Sequence, residues 1–114
     1  MKVLCVCRGG NVRSVALAWF LKYDLNHDAL NCSTEKNPPS TRKMLYEWAE
    51  AILYVEPELL LEIPETYHQK AVLVNIGPDV WGNPTDMDLI RTIWCEIEKS
   101  GFPLEEKRSD PLLP

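Results

Sequence analysis

Short, wholly apolar runs alternate along the chain with longer stretches in which apolar residues recur every three or four positions. Val3-Leu4-Cys5-Val6 is the first such run. Four apolar residues in a row leave no polar face, which fits a strand buried on both sides of a parallel sheet. Gly9-Gly10-Asn11 interrupts the run, and from Arg13 onward Val15, Leu17, Ala18, Trp19 and Leu21 follow a helical period that fades around residues 23–26. Residues 29–33 form a weaker strand candidate and 36–39 a loop. Ser40 is the expected N-cap of a helix carrying Met44, Leu45, Trp48 and Ala49. Ala51-Ile52-Leu53-Tyr54-Val55 is a second apolar strand, and Pro57 suits the first position of a short helix bearing Leu59, Leu60 and Ile63. Ala71-Val72-Leu73-Val74-Asn75-Ile76 is the third strong strand, closed by Gly77-Pro78-Asp79. Met87, Ile90, Ile93, Trp94 and Ile97 mark a last helix, with Thr85 and Asp88 as a capping pair and Gly101 at its end.

Strands and helices therefore alternate, which predicts an α/β domain. It should be a three-layer sandwich, with a four-stranded parallel sheet, right-handed crossovers and helices on both faces. The 114 residues suit one domain. Residues 1–101 are expected to form it and 102–114 to be a loose C-terminal tail. In such sheets, sites form beyond the carboxyl ends of the strands. Two segments fall there: residues 7–14 after the first strand and 77–88 after the last.

Composition narrows the partners. The chain is 46% hydrophobic, with four Trp, enough for a real core. Twelve Lys and Arg against seventeen Asp and Glu give a net charge of −5, which argues against nucleic acid. No apolar run is long enough to cross a membrane. The N-terminal apolar stretch is too short for a signal peptide, so a cytoplasmic location with reduced thiols is expected. Cys5 and Cys7 are expected on opposite faces of the first strand and unable to pair. There is no CxxC pair, and His27 and His68 are far from any cysteine in sequence, so no metal site and no cofactor are expected. Cys5, Cys32 and Cys95 are read as buried thiols, His27 and His68 as surface residues, and Trp19, Trp48 and Trp94 as core-facing helix residues. Glu50 and Glu56 are read as surface carboxylates.

The segment Cys7-Arg8-Gly9-Gly10-Asn11-Val12-Arg13-Ser14 carries the chemistry. A loop of this size between strand and helix can turn several N–H groups inward as an anion nest. Gly9 and Gly10 permit the positive φ values such a curl needs. Arg13 offers a planar fork for two phosphate oxygens. That field favours the thiolate of Cys7, the form that attacks, and Ser14 can donate a hydrogen bond to it. A merely structural loop is the competing reading. Downstream, Asp79 lies in a Gly-Pro loop beside Trp81, where a partly dry carboxyl can serve as a general acid. Asp86 and Asp88 sit where a helix starts and read as caps. Trp81 can wall the pocket and stack on an aryl ring, or simply pack its loop on the body.

Residues 3–14 resemble the phosphate loop of low-molecular-weight protein tyrosine phosphatases, Cys-x-Gly-Asn-x-x-Arg-Ser. Residues 48–56 and Gly77-Pro78-Asp79-Val80-Trp81 are similar to that family's middle segment and late acid loop. The resemblance runs in order over about residues 1–100 and is nearest to the family's short, compact members. It implies a flavodoxin-like sheet of order 2-1-3-4. It also implies Cys7 as nucleophile, Arg13 as the phosphate clamp, Ser14 as the loop serine and Asp79 as general acid, with residues 8–14 (Arg8, Gly9, Gly10, Asn11, Val12, Arg13 and Ser14) cradling phosphate. The chain departs from the pattern at Gly10, where the family has its bracing Asn, with Asn11 one later. It departs again at Val12, where a second loop cysteine is common, and at Val15, where Pro often follows the Ser. The implied activity is metal-free hydrolysis of phosphotyrosine proteins or small aryl phosphates through a phosphocysteine, by a monomer. The alternatives are a phosphocysteine carrier of the sugar-transport type and a non-catalytic phosphate-binding module. An arsenate reductase would need resolving cysteines, and Cys32 and Cys95 lack the paired spacing.

Overall fold

A computed structural model describes residues 1–9, 12–77 and 80–102. Gly10, Asn11, Asp79 and all but the first residue of the expected tail at 102–114 lie outside the described residues; that first residue, Phe102, is buried rather than loose. The chain runs β1 (Lys2–Cys7), α1 (Arg13–Trp19), β2 (Asp28–Ser33), α2 (Pro39–Trp48), β3 (Ala51–Tyr54), β4 (Ala71–Leu73) and α3 (Met87–Ser100). A π-helical turn, Phe20–Asp24, continues α1, and two 3₁₀ turns, Pro57–Glu62 and Glu65–Lys70, join β3 to β4.

All four strands are parallel, in the order β2-β1-β3-β4. This is the flavodoxin-like α/β arrangement expected, with β1 central. One row crosses the sheet near its carboxyl edge: Cys32, Val6, Tyr54 and Leu73. The step after it pairs Cys7 with Ser33. β1 is buried from Val3 to Cys7, as its unbroken apolar run requires. α1 packs on β1 and β2 and touches α3, while α2 packs on β1 and the first 3₁₀ turn on β3. The chain reverses direction in strand order between β2 and β3, on either side of β1, so the edge beyond Cys7 is the switch point where such sheets open a crevice.

Several expectations are corrected. Side chains on a strand alternate with period two, so Cys5 and Cys7 share a face rather than opposing one another; both are free thiols. Ser40 does not cap α2. The helix starts at Pro39 with Pro38 before it and no side-chain cap, because Pro at the first position needs no N–H partner. Asp86, not Thr85, caps α3: its carboxylate accepts from the N–H groups of Asp88 and Leu89. Thr85 instead bonds Asn83. The third strong strand is shorter than its apolar run: β4 ends at Leu73, although the N–H groups of Val74 and Ile76 still donate to the carbonyls of Tyr54 and Val55 at 2.9 and 3.0 Å.

The stripe of α3 is also rotated from expectation. Leu89, Ile93 and Ile97 are fully buried, whereas Met87 and Trp94 are exposed. A fully buried Leu or Ile is worth about 1.5–3 kcal/mol, so three at spacing four fix the helix face and carry the rest outward. Trp19 is likewise exposed, while Phe20 next to it is buried. Trp94 keeps an edge-on contact with Phe20, ring centroids 4.9 Å apart. His27 is buried, with Nδ1 3.2 Å from the Met1 nitrogen and its ring against Phe102. Phe102 therefore belongs to the core. His68 is half-buried, and its Nε2–H faces the carbonyls of Leu60 and Ile63 at 3.1 and 2.7 Å. Cys95 is exposed. Gly101 ends α3 in the left-handed region, φ 78°, as its position predicts.

Candidate active site

Cys7 is the last residue of β1, and the neighbouring strand fixes its backbone. Its carbonyl accepts from Thr34 N–H at 3.0 Å, and the Arg8 carbonyl accepts from Glu35 N–H at 3.2 Å. The Ser33 hydroxyl donates to the Arg8 carbonyl at 2.5 Å and accepts from the N–H groups of Glu35 and Lys36. The end of β2 thereby anchors the start of the loop. On the side chain, Cys7 Sγ and Ser14 Oγ lie 3.2 Å apart in a buried hydrogen bond. A hydroxyl can reverse its role, so Ser14 accepts from the thiol and donates to the thiolate without moving.

Arg13 opens α1 and is 1% exposed. A buried guanidinium is costly unless paired and hydrogen-bonded. Its Nη1 donates to the Gly77 carbonyl at 2.7 Å and pairs with Glu56 Oε1 at 2.7 Å. Gly77 has φ 88°, a conformation that favours glycine, and it turns the chain after β4 toward Arg13. Arg13 therefore ties the start of α1 to the segments leaving β3 and β4. Glu56, expected on the surface, is instead mostly buried against Arg13 and is the member of this arrangement that sequence reasoning does not single out. The available signal was its position: an acid just past a buried strand, on the edge where the arginine must sit.

The remaining loop candidates separate. Arg8 is half-exposed and turns away to Glu62, Nη1 to Oε2 2.7 Å. Exposed pairs of this kind are worth at most about 1 kcal/mol. Gly9 leads out of the strand end. Val12 precedes α1, packs against the core and offers its carbonyl to Ala16 N–H at 2.8 Å. Trp81 is half-buried against the core, and its indole Nε1 is buried with no hydrogen-bond partner among the described residues. Its packing accords with the bland alternative raised from sequence. Asp86 serves α3, and Asp88 pairs with Arg91 on the surface.

Cys5 and Cys32 are buried thiols whose surroundings favour the protonated form. Burial raises Cys5 well above the usual thiol range, with nearby Cys32 and Cys7 adding to it. Burial also pushes Cys32 up to about 12, against the opposing pull of Arg42. Among the described residues no cluster of His, Cys, Asp and Glu is arranged to hold a metal. No helix there is long and apolar enough to cross a membrane. Compared with known proteins, the chain matches no family model and no curated protein. The geometry brings together a thiol, a hydroxyl able to stabilise its ionised form, and a buried, pre-positioned guanidinium, all at the switch-point edge of the sheet.

Proposed function

We propose that the protein is a cysteine-dependent phosphomonoesterase acting on phosphotyrosine or small aryl phosphates. The observation that carries this reading is the buried Cys7–Ser14 hydrogen bond beside the anchored Arg13. In the proposed reaction the Cys7 thiolate attacks phosphorus in line, forming an S–P bond as the P–O bond to the aryl oxygen breaks. Asp79 gives its proton to the departing phenolate. Arg13, with the loop N–H groups, holds the equatorial oxygens. Water then attacks the phosphocysteine, loses its proton to Asp79 and breaks the S–P bond, which returns the thiolate and releases phosphate. Ser14, by donating to Sγ, stabilises the thiolate as it leaves in that second step.

Turnover of p-nitrophenyl phosphate in the presence of a chelator, with inhibition by vanadate, tests the reading. Cys7→Ser should bring the rate to background with an unchanged circular dichroism spectrum, and a fully active Cys7→Ser protein would remove the mechanism. In the same assay Asp79→Asn should lower kcat/KM for phenyl phosphate far more than for p-nitrophenyl phosphate, because the poorer leaving group needs the proton more. General acids contribute about 10²–10⁴-fold. Equal losses on both substrates would rule out the acid role. Neither substitution is expected to act through a metal, so added divalent cations should not restore the rate.

A further inference from the structure

Next to the Cys7 loop, α2 and the two 3₁₀ turns enclose a cavity of about 380 Å³. Arg42, Lys43 and Tyr46 of α2 line one side, and Glu62, Pro64 and Tyr67 line the other. Two chains of bonds join it to the candidate nucleophile. Glu62 holds Arg8, the residue after Cys7. Arg42 donates to the Thr34 carbonyl, and Thr34 N–H donates to the Cys7 carbonyl.

The lining asks for an acceptor. Tyr46 is 2% exposed, and its hydroxyl is buried with no hydrogen-bond partner among the described residues. Buried polar groups are almost always partnered, and an exception calls for an explanation. The Tyr67 hydroxyl, by contrast, donates to Glu47. Burial pushes the Tyr46 phenol up to about 12, so it keeps its proton and remains a donor. Among the described residues neither Arg42 nor Lys43 has an ion-pair partner. The acid in the cavity, Glu62, is neutralised by Arg8. Two uncompensated cations and an idle donor thus meet at one place in a chain of net charge −5.

We infer that this cavity is a specificity pocket for an acidic residue flanking the phosphorylated tyrosine of a peptide substrate, with Arg42, Lys43 and the Tyr46 hydroxyl receiving its carboxylate. Tyr67 and Pro64 offer an apolar wall to the methylene stem. The inference rests on the phosphatase reading, since it takes the phosphate to lie in the Cys7 loop while the neighbouring residue enters the cavity.

Two phosphotyrosyl peptides decide it, one with Glu on both sides of the phosphotyrosine and one with Ala there. Binding is measured by calorimetry with Cys7→Ser protein, and turnover by kcat/KM with the intact enzyme. The glutamyl peptide should be favoured roughly tenfold in both, the scale of one charge-assisted contact. Tyr46→Phe and Lys43→Gln should each pull that ratio toward one. Tyr46→Phe removes only an unpartnered oxygen, so a folding defect is not expected to blur the result. Turnover without a glutamyl preference overturns the pocket and leaves the hydrolase. Preferential binding without turnover by the intact enzyme overturns the hydrolase and leaves the pocket. Neither turnover nor preference overturns both.

Discussion

Glu56 holds Arg13 in place, and the energetics of that pair make it a sensitive point. A buried guanidinium that loses its carboxylate keeps its desolvation cost without the compensation. Glu56→Gln retains an acceptor but no charge. It should lower stability by about 1–3 kcal/mol, the range for a buried polar group left poorly satisfied, read as a drop in the urea midpoint. On the proposed function it should also lower kcat/KM at least tenfold, because the fork would no longer be aimed. A stability loss with kcat/KM unchanged would make Glu56 a packing partner only. Cys7, Arg13 and Ser14 were legible as a group because strand, glycines and helix start frame them within eight residues of sequence. Glu56 was not legible, since its partner lies more than forty residues away and only the parallel pairing of β1 with β3 brings the two strand ends side by side. His27 escaped for a similar reason: its neighbours, Met1 and Phe102, come from opposite ends of the described chain.

Individual elements were read as well as their apolar residues allowed. β1 and β3 are unbroken runs and emerged almost to the residue. α3 emerged as a helix with Ile93 and Ile97 inward, but its face is rotated so that Leu89 joins them and Met87 and Trp94 turn outward, because apolar residues at spacings of three and four fit two neighbouring rotations equally well. Packing chose Leu89, Ile93 and Ile97. The π-helical turn at Phe20–Asp24 has no mark in the apolar period; it leaves Leu21 buried as expected and buries Phe20 beside it. The second 3₁₀ turn was missed altogether. It is held by side chains on backbone carbonyls, His68 on Leu60 and Ile63, and Lys70 on Ala49, and periodicity does not register such bonds. The cap on α3 supports a quantitative test. Asp86→Ala exposes the N–H groups of Asp88 and Leu89 and should cost about 0.5–2 kcal/mol, seen as a lower Tm. Asp88→Ala removes only an exposed pair with Arg91 and should leave Tm nearly unchanged. Equal shifts in the two variants would contradict the cap.

For the molecule as a whole, ionisable side chains are buried both in the sheet (Cys5 and Cys32) and on α2 (Tyr46), and that sets its response to alkali. Cys32 is raised from 9.0 to about 12, Tyr46 from 10.0 to about 12, and Cys5 is raised by burial as well. Below pH about 9 both folded and unfolded chains hold these protons, so their contribution to stability is fully present. As pH rises from about 9 toward 12 the unfolded chain ionises first and the folded chain does not, so stability falls. The urea midpoint should therefore decline as pH rises from 9.0 toward about 12, and Cys32→Ala should flatten the decline relative to its own neutral-pH value. A midpoint that stays level through that range would contradict it.

β4 has three residues, all only partly buried, and pairs on one side alone, with β3. β1, by contrast, is buried along nearly its whole length and paired on both sides. Proteins open in cooperative units, and short, half-covered edges come from the least protected end of that range. Gly77 follows β4 and carries the carbonyl that Arg13 grips, while Cys7 ends β1. The thiol thus ends the most fully covered strand, whereas one anchor of the arginine follows the least covered one, held there by the bonds of Val74, Ile76 and Gly77 N–H to Tyr54 and Val55. Amide hydrogen exchange should therefore be slower along β1 than along β4, and equal protection of the two strands would contradict that order.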